Sequence, residues 1–315
     1  MAQQPWRRSA PVPFLLALAL VLAGPAVAQP VAAPAGAAPS RVLSVGSISL
    51  AIKEEIADFQ PIADYLAERL GDQGVSQARV VVVDSLDAMA TELRRGNVDV
   101  FVDSPFPVAE MKRRAGFRPL LRRWKKGVAE YHALVFVRAD SPIRSTADLT
   151  GDVVAFDDPF STSGYLLPKA MLAAGGLTLR EQSHSAAPVA PGTVGYVFSE
   201  DDENTLTWVL KKRTAAGAID NHGFEELLAG DTERFRVLAR SPDVPRHVLG
   251  VRGDLEPALA TALERVLLSM HEEERGREVL EDFQHTTRFD RFPEGPEAGM
   301  AVVERLMDEI QGELR

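Results

Sequence analysis

Residues 153–174 read VVAFDDPFSTSGYLLPKAMLAA, a stretch that passes from an apolar run through a polar loop into a helical pattern. Val153–Phe156 is typical of a strand that is buried on both faces. Thr162–Ala174 is predicted to be a helix, and Pro168 inside it predicts a kink or a separate first turn. The loop lies where a strand ends and a helix begins, which is where open α/β sheets bind ligands.

The rest of the chain repeats this alternation. Ile52–Leu70 has apolar residues at three- and four-residue spacing, as in a helix with one buried face, and Val80–Val83 is a β-branched run. Further strands are predicted at Val42–Val45, Val98–Val102, Tyr131–Arg138, Gly195–Phe198 and Ala216–Ile219. Strands that alternate with helices indicate parallel sheets covered on both faces. The strands are too many for one compact sheet, so two α/β lobes are expected.

The N-terminal segment 1–28 has the layout of a secretory signal peptide. A basic pair at 7–8 precedes the apolar run Phe14–Ala23, which is too short to span a bilayer, and Ala26–Ala28 is a small-x-small cleavage site. The arginine pair raises the twin-arginine route, but the apolar residues expected directly after it are missing. Residues 29–40 are rich in Ala and Pro and are predicted to be a linker. The mature chain, cleaved near Ala28, is therefore expected in the periplasm.

The composition disfavours several kinds of partner. The chain has 35 Lys and Arg residues against 45 Asp and Glu, and the signal segment carries two of the arginines and no acid, so the mature net charge is 33 − 45 = −12. Nucleic acid and anionic lipid surfaces are poor partners for this balance. Without any Cys, neither a lipid anchor nor a disulfide framework is expected. The basic run 122–126 favours a solvated connection over a docking patch.

The loop DDPFSTSGY, residues 157–165, has the composition of an oxyanion-binding nest. Ser161 fits a helix N-cap, which leaves the amides of Thr162, Ser163 and Gly164 without partners inside the helix. These amides carry the positive end of the helix dipole, the hydroxyls add donors, and the glycine permits close approach of a ligand. Such a nest binds phosphate-like oxyanions. A capped helix with nothing bound is the alternative, and these residues alone do not separate the two.

Known enzyme motifs do not fit this loop. A Gly-x-Ser-x-Gly elbow around Ser163 would need glycine at 161, and no Gly-Lys-Ser/Thr loop occurs. A hydrolase built on Ser163, Asp220 and His222 is therefore the weakest of the functional classes. The six histidines lack metal-ligand spacing, so we expect no metal, no cofactor and no catalytic residue.

Eight short segments carry a resemblance to a known family. They are Phe59–Leu66 (FQPIADYL), Gly96–Val100 (GNVDV), Tyr131–Arg138 (YHALVFVR), Asp140–Ile143 (DSPI), Asp148–Gly151 (DLTG), Asp157–Tyr165, Ala216–Asp220 (AGAID) and Pro242–Arg246 (PDVPR). In this order they resemble the substrate-binding proteins of ABC transporters for phosphate, phosphite and phosphonates, and the likeness runs from about Arg41 to Phe292. Singly the segments are weak, but their order is specific.

The resemblance implies a two-lobed periplasmic binding protein of the α/β class, with a parallel-rich sheet in each lobe and a hinge between them. The first lobe would comprise about 41–130 and 240–315, and the second about 131–239. Ser161, Thr162 and Ser163 match the oxyanion-binding Ser-Thr-Ser of the family. Tyr131 matches a tyrosine at the lobe crossing, and Asp220 matches an acid that reads a ligand amine in some members.

The chain departs from the family at two places. After the strand that contains Asp99, the family has Gly-Pro-x-x-Tyr, whereas this chain has SPFPV, so that Asp103 and Ser104 stand at the strand end and the tyrosine is lost. The histidine of the phosphonate binders is replaced by Asp202. An ionised carboxylate cannot donate to an anion. Acidic residues around the anion nest also repel an anion. A ligand that carries an amine as well as an oxyanion can pair with these acids, so an aminophosphonate-like zwitterion is expected ahead of bare phosphate.

Two roles fit this reading of the sequence. The leading one is a monomeric transport protein that hands its ligand to an inner-membrane permease, and the alternative is a sensory component that presents its closed form to a membrane histidine kinase. The ligand must bind both lobes, because only differential affinity shifts an open–closed equilibrium. Ser161–Ser163 and Asp220 would supply one lobe, Asp103 and Ser104 the other, with Tyr131 near the hinge.

Overall fold

The computed structural model describes residues 40–312, so the expected signal peptide and most of the linker lie outside the described residues. The helices of this range are α1 (Ile52–Arg69), α2 (Leu86–Arg94), α3 (Pro105–Ala115), α4 (Leu167–Ala174), α5 (Asp202–Leu210), α6 (Asn221–Leu228), α7 (Pro257–Ser269), α8 (Glu274–Asp282) and α9 (Pro296–Glu309). The strands are β1 (Arg41–Ile48), β2 (Val75–Val83), β3 (Val100–Asp103), β4 (Arg118–Lys125), β5 (Glu130–Tyr131), β6 (Ala133–Arg138), β7 (Val153–Phe156), β8 (Leu179–Glu181), β9 (Val194–Phe198), β10 (Ala216–Asp220), β11 (Phe235–Arg240), β12 (Val244–Pro245), β13 (His247–Val251) and β14 (Thr286–Asp290). None of the described helices combines the length and the apolar character that a membrane crossing requires.

Two six-stranded sheets form the cores of two lobes. The first sheet has the order β14-β4-β13-β3-β1-β2, and the second has the order β11-β6-β10-β7-β9-β8. β1 runs parallel to β2 and β3, and β7 runs parallel to β9 and β10, whereas β4, β13 and β14 pair antiparallel in the first sheet and β6 pairs antiparallel in the second. The predicted fold class is therefore confirmed, with parallel strands in both sheets.

Two segments of chain connect the sheets, and they pair with each other. β5 and β12 form a two-stranded antiparallel ribbon in which Val244 lies opposite Tyr131. The amide of Arg246 extends the ribbon by donating to the carbonyl of Ala129 at 2.8 Å. Because a twist of this ribbon changes the lobe separation without breaking either sheet, we propose that it is the hinge and that the lobes divide here, close to the predicted limits at 130–131 and 239–240.

Apolar packing continues from one lobe to the other. In the first lobe, Phe59 of α1 packs on Phe283, the residue that follows α8, and their ring centroids are 4.7 Å apart. A second cluster of buried residues contains Phe106 from the first lobe and Phe156 from the second. The C-terminal helix α9 contacts both α3 and α4. The lobes are therefore in contact, and the edges of both sheets that carry the predicted site face each other.

Candidate functional site

The hydroxyl loop leads into a π-helical turn before the regular helix. Ser161 is the N-cap, as predicted, but its Oγ accepts from the amide of Gly164 at 3.0 Å, so this amide is not left without a partner as the sequence suggested. The amide of Leu166 bonds to the carbonyl of Ser161 at 3.0 Å, a five-residue spacing that defines the π turn over Thr162–Leu166. α4 follows with Pro168 in its first turn, where a proline lacks no needed hydrogen bond. The separate first turn expected from the proline is observed.

The hydroxyl of Thr162 joins the two lobes. Its Oγ1 accepts from the amide of Phe106 at 2.8 Å and donates to Oγ of Ser104 at 2.9 Å. Thr162 is 1% exposed, so these partners replace water completely. Of the three predicted hydroxyls, therefore, Ser161 caps the helix and Thr162 contacts α3. The hydroxyl of Ser163 lies beside that of Tyr131, and Ser163 lines the cavity between the lobes.

A cavity of about 240 Å³ lies between the lobes, and the predicted site residues meet there. All of them line it except Thr162, which donates a hydrogen bond to the lining residue Ser104. The lining members of the predicted set are Ser161, Ser163, Tyr131, Asp220, Ser104, Asp103 and Asp202. Their proximity gives the predicted site a physical location. Ligand binding by these residues remains a prediction.

Charged residues from both lobes line this cavity, and the basic ones among them were not predicted as site residues. Six carboxylates face three basic side chains; the acids are Glu55, Asp103, Asp157, Asp158, Asp202 and Asp220, and the bases are Arg123, Lys125 and Arg246.

The expectation that 122–126 is a solvated connection is wrong. This run is the end of β4 and pairs with β13 and β14 inside the first sheet. Alternation along the strand places Arg123 and Lys125 on the face that borders the cavity.

The three basic residues differ in how they are held. The guanidinium of Arg123 stacks on the ring of Phe283 at 3.8 Å and donates to Oγ1 of Thr286 at 2.8 Å. Burial lowers the pKa of Arg123 to about 9. Arg246 lies over the ring of Tyr131 at 4.5 Å, with Nη2 3.5 Å from Oδ2 of Asp220.

Lys125 has no such partner. Within residues 40–312, no carboxylate oxygen lies within 4.0 Å of its ammonium group. Burial, together with the positive charges of Arg123 and Arg246, lowers the pKa of Lys125 to about 7. An ammonium group in this position gains most from an anion that enters the cavity.

The acidic residues are poorly compensated. Burial is the main cause that raises the pKa of Asp103 to about 7, and burial with repulsion from Asp103 raises that of Asp158 to about 7. The pKa values of Asp157 and Asp202 are also raised, first by burial and then by repulsion, which comes from Asp158 for Asp157 and from Asp157 for Asp202. A positively charged group in the cavity would lower all four values.

The structure gives the contacts of Tyr131 and Asp220, two residues that the sequence predicted for the site. The Tyr131 hydroxyl lies beside the hydroxyls of Ser163 and Thr162, and burial raises its pKa to about 12, so it stays protonated near neutral pH and can donate. Asp220 is the N-cap of α6, because its Oδ1 accepts from the amides of His222 and Gly223 at 2.9 and 3.0 Å. It meets His222 through the backbone, which differs from the side-chain contact of a hydrolase triad.

Gly164 makes room for Asp157. A Cβ atom at position 164 would lie 2.3 Å from Cβ of Asp157, so the glycine permits close approach of this side chain. We expect Gly164→Ala to displace Asp157 and to lower the free energy of unfolding by about 2 kcal/mol, the usual effect of overpacking. Chemical denaturation measures this change. Gly71→Ala is the control, since no atom lies within 4 Å of its added Cβ, and equal stability of the two variants would contradict the assignment.

Two lobes, a ribbon between them and a charged interlobe cavity define a solute-binding protein of the two-lobed class. The family model described as the periplasmic substrate-binding protein of phosphonate ABC transporters matches residues 52–293. The chain belongs to this family, as the resemblance predicted. It is thus a substrate-binding component of a transport system, in a family that is periplasmic and is not a class of enzyme.

Solved structures are similar to this chain over most of its length. XAC2383 from Xanthomonas citri, bound to ATP, is 30% identical with a TM-score of 0.78, and the match covers 86% of this chain and 100% of that one. The same protein bound to chloride ion is 29% identical with a TM-score of 0.79, covering 86% and 98%. PhnD1 from Prochlorococcus marinus, in complex with methylphosphonate, is 18% identical with a TM-score of 0.65 over 86% and 98%, which supports the fold.

Proposed function

We propose that this protein binds a small zwitterion, with a phosphonate- or phosphate-like oxyanion at one end and an amine at the other, and delivers it to an inner-membrane ABC permease. The observation that supports the proposal is the cavity of about 240 Å³ between the lobes, whose lining combines hydrogen-bond donors with poorly compensated carboxylates. A ligand with only one sign of charge satisfies one half of this lining and is repelled by the other.

The oxyanion is assigned to the donors around the π turn and the hinge. The amides of Thr162 and Ser163 belong to the first turn, whose amides lack intrahelical partners. The hydroxyls of Ser163 and Tyr131 lie beside them. Lys125 supplies the positive charge from the first lobe. Donors from both lobes would then close on the same group, and this differential contact favours the closed state.

ATP is the competing ligand, because the 30% identical Xanthomonas protein was solved with it. The cavity described here has six carboxylates against three basic side chains. A triphosphate adds about four negative charges to this balance, whereas a zwitterion adds none overall. We therefore propose the small zwitterion ahead of the nucleotide.

The proposed partner is the permease, since the family consists of transporter components. We propose a monomer in the periplasm. Presentation of the closed form to a sensor kinase uses the same closure, and it is separated from transport by uptake. Deletion of the gene should abolish uptake of the ligand; unchanged uptake with a lost transcriptional response would favour the sensor.

A thermal-shift screen tests the ligand class directly. We expect 2-aminoethylphosphonate to raise the melting temperature more than phosphate, phosphite, glycine or ATP at equal concentration, because a ligand that binds only the folded state stabilises it in proportion to its affinity. A larger shift with ATP than with any aminophosphonate would contradict the proposal.

Ser163→Ala is the variant that tests the oxyanion half. Removal of its hydroxyl takes away one donor to the anion, and we expect about tenfold to 100-fold weaker binding of the best ligand by calorimetry, the usual effect of losing a hydrogen bond to a charged group. Ser76→Ala, an exposed serine of β2, serves as the control. Equal affinity of the two variants would remove the π turn from the proposed site.

A further inference from the structure

Each lobe presents one carboxylate with an unused oxygen to the cavity. Asp103, at the end of β3, accepts the Ser104 amide on Oδ1 at 2.6 Å, while its Oδ2 is buried and has no hydrogen-bond partner within residues 40–312. Asp158, just after β7 in the other lobe, has a buried Oδ1 that also lacks a partner in that range. Buried polar atoms are normally paired, so two orphans facing one cavity point to a missing ligand group.

The surroundings of this pair lack a nearby counter-ion. Neither carboxylate forms an ion pair with a described Lys, Arg or His side chain within 4.0 Å, and Arg123 is the basic residue whose charge interacts with Asp103. The acids around the pair add repulsion: Glu55 acts on Asp103, and Glu200, Asp201 and Asp202 act on Asp158. Asp103 also repels Asp158, so the two lobes present like charges to each other with no described counter-ion within 4.0 Å of either.

We infer that the cationic group of the ligand lies between Asp103 and Asp158, and that its charge is a condition for lobe closure. This inference rests on the proposed function and narrows it. An ammonium group has three donors, so it can bond to the unused oxygen of each carboxylate at once. A neutral group of the same shape leaves both oxygens unpaired in the closed state. The substrate class is then one that carries its amine at the end opposite to the oxyanion.

An isosteric pair of probes tests the role of the charge. 2-Aminoethylphosphonate and propylphosphonate differ by an ammonium in place of a methyl group. For the unmodified protein we expect calorimetry to give at least about 30-fold tighter binding of the amine, and for Asp103→Asn or Asp158→Asn less than about fivefold, because each variant removes one charge of the pair. Glu203→Gln, an exposed acid outside the cavity, should keep the full preference.

Lobe closure without ligand provides a second, independent measurement. We expect the ligand-free protein at about pH 8 to be open in small-angle scattering, and the double variant Asp103→Asn with Asp158→Asn to have a smaller radius of gyration, because neutral amides remove the repulsion. Equal radii would overturn the inference whatever the ligand is. Equal affinity of the unmodified protein for both phosphonates would also overturn it, while leaving oxyanion binding intact. Binding of neither phosphonate would refute the proposed function, and scattering would still decide the role of the pair.

Discussion

The ligand-free protein should become less stable as the pH rises from about 4 to about 8, because its cavity holds carboxyl groups that favour the protonated form. Asp103 has a folded-state pKa of about 7 against an ordinary 3.8, so the folded protein binds this proton more tightly than the unfolded chain does. The stabilisation is complete below the ordinary value and is lost as the pH rises through about 7. One such group contributes on the order of 4 kcal/mol over this range.

Two basic groups act in the opposite sense over different ranges. Lys125 has a pKa lowered to about 7 from 10.5, so its contribution to stability grows as the pH rises between these values. Burial lowers the pKa of His247 well below 6.5, so the protein loses some stability as the pH falls below that value. Below about pH 7 the carboxyl groups with raised pKa values outnumber the single histidine, so their effect on stability is the larger one. We therefore expect the minimum of stability at about pH 7 to 8.

Calorimetry measures this profile directly. We expect the melting temperature of the ligand-free protein to fall by at least about 5 °C between about pH 5 and about pH 8. The double variant Asp103→Asn with Asp158→Asn is the matched control, and its profile should be flatter because these two groups no longer titrate. Saturating 2-aminoethylphosphonate should recover most of the lost stability at the higher pH. A melting temperature that rises steadily over the same range would contradict the charge assignment of the cavity.

Local patterns were sufficient to predict much of the fold. The passage from Val153–Phe156 to a hydroxyl loop and a helix predicts a strand-to-helix turn from residues adjacent in the sequence, and the capping bond of Ser161 forms within three residues. The break before Pro168 has a similarly local cause. The surroundings of the first turn could not be predicted in this way. The hydroxyl of Thr162 accepts from the amide of Phe106, which is 56 residues away and comes close only in the folded protein.

The basic residues that line the cavity could not be predicted from the sequence. Arg123 and Lys125 belong to a run that has the composition of a solvated segment, yet the run is part of a strand within the first sheet. The partner of the Arg123 guanidinium is the ring of Phe283, which is distant in sequence and close only after the sheet forms. The strand RPLLRRWK carries charged residues on both faces, so it lacks the alternation of apolar and polar residues that would have predicted a strand here.

The variant Lys125→Met should bind the ligand much more weakly and yet be more stable without it. Its ammonium is buried beside Arg123 and Arg246, and its pKa of about 7 records how unfavourable the charge is in the empty cavity. We expect the free energy of unfolding of the ligand-free protein to rise by about 2 kcal/mol, since a buried unpaired charge is removed. We expect roughly 100-fold weaker binding of 2-aminoethylphosphonate, because a charge-assisted contact to the oxyanion is lost.

The neighbouring residue supplies the matched control. Lys126 is exposed, and its ammonium pairs with Glu226 at 2.6 Å on the surface. Such pairs contribute about 0–1 kcal/mol, so Lys126→Met should change affinity by less than about fivefold and should not raise stability. The opposite signs of the two effects in Lys125→Met separate a binding residue from a structural one, since a residue that holds the fold together would lower both stability and affinity. Unchanged affinity in Lys125→Met would exclude its ammonium from the anion site, and a fall in stability would mean that this group has a partner within the folded protein.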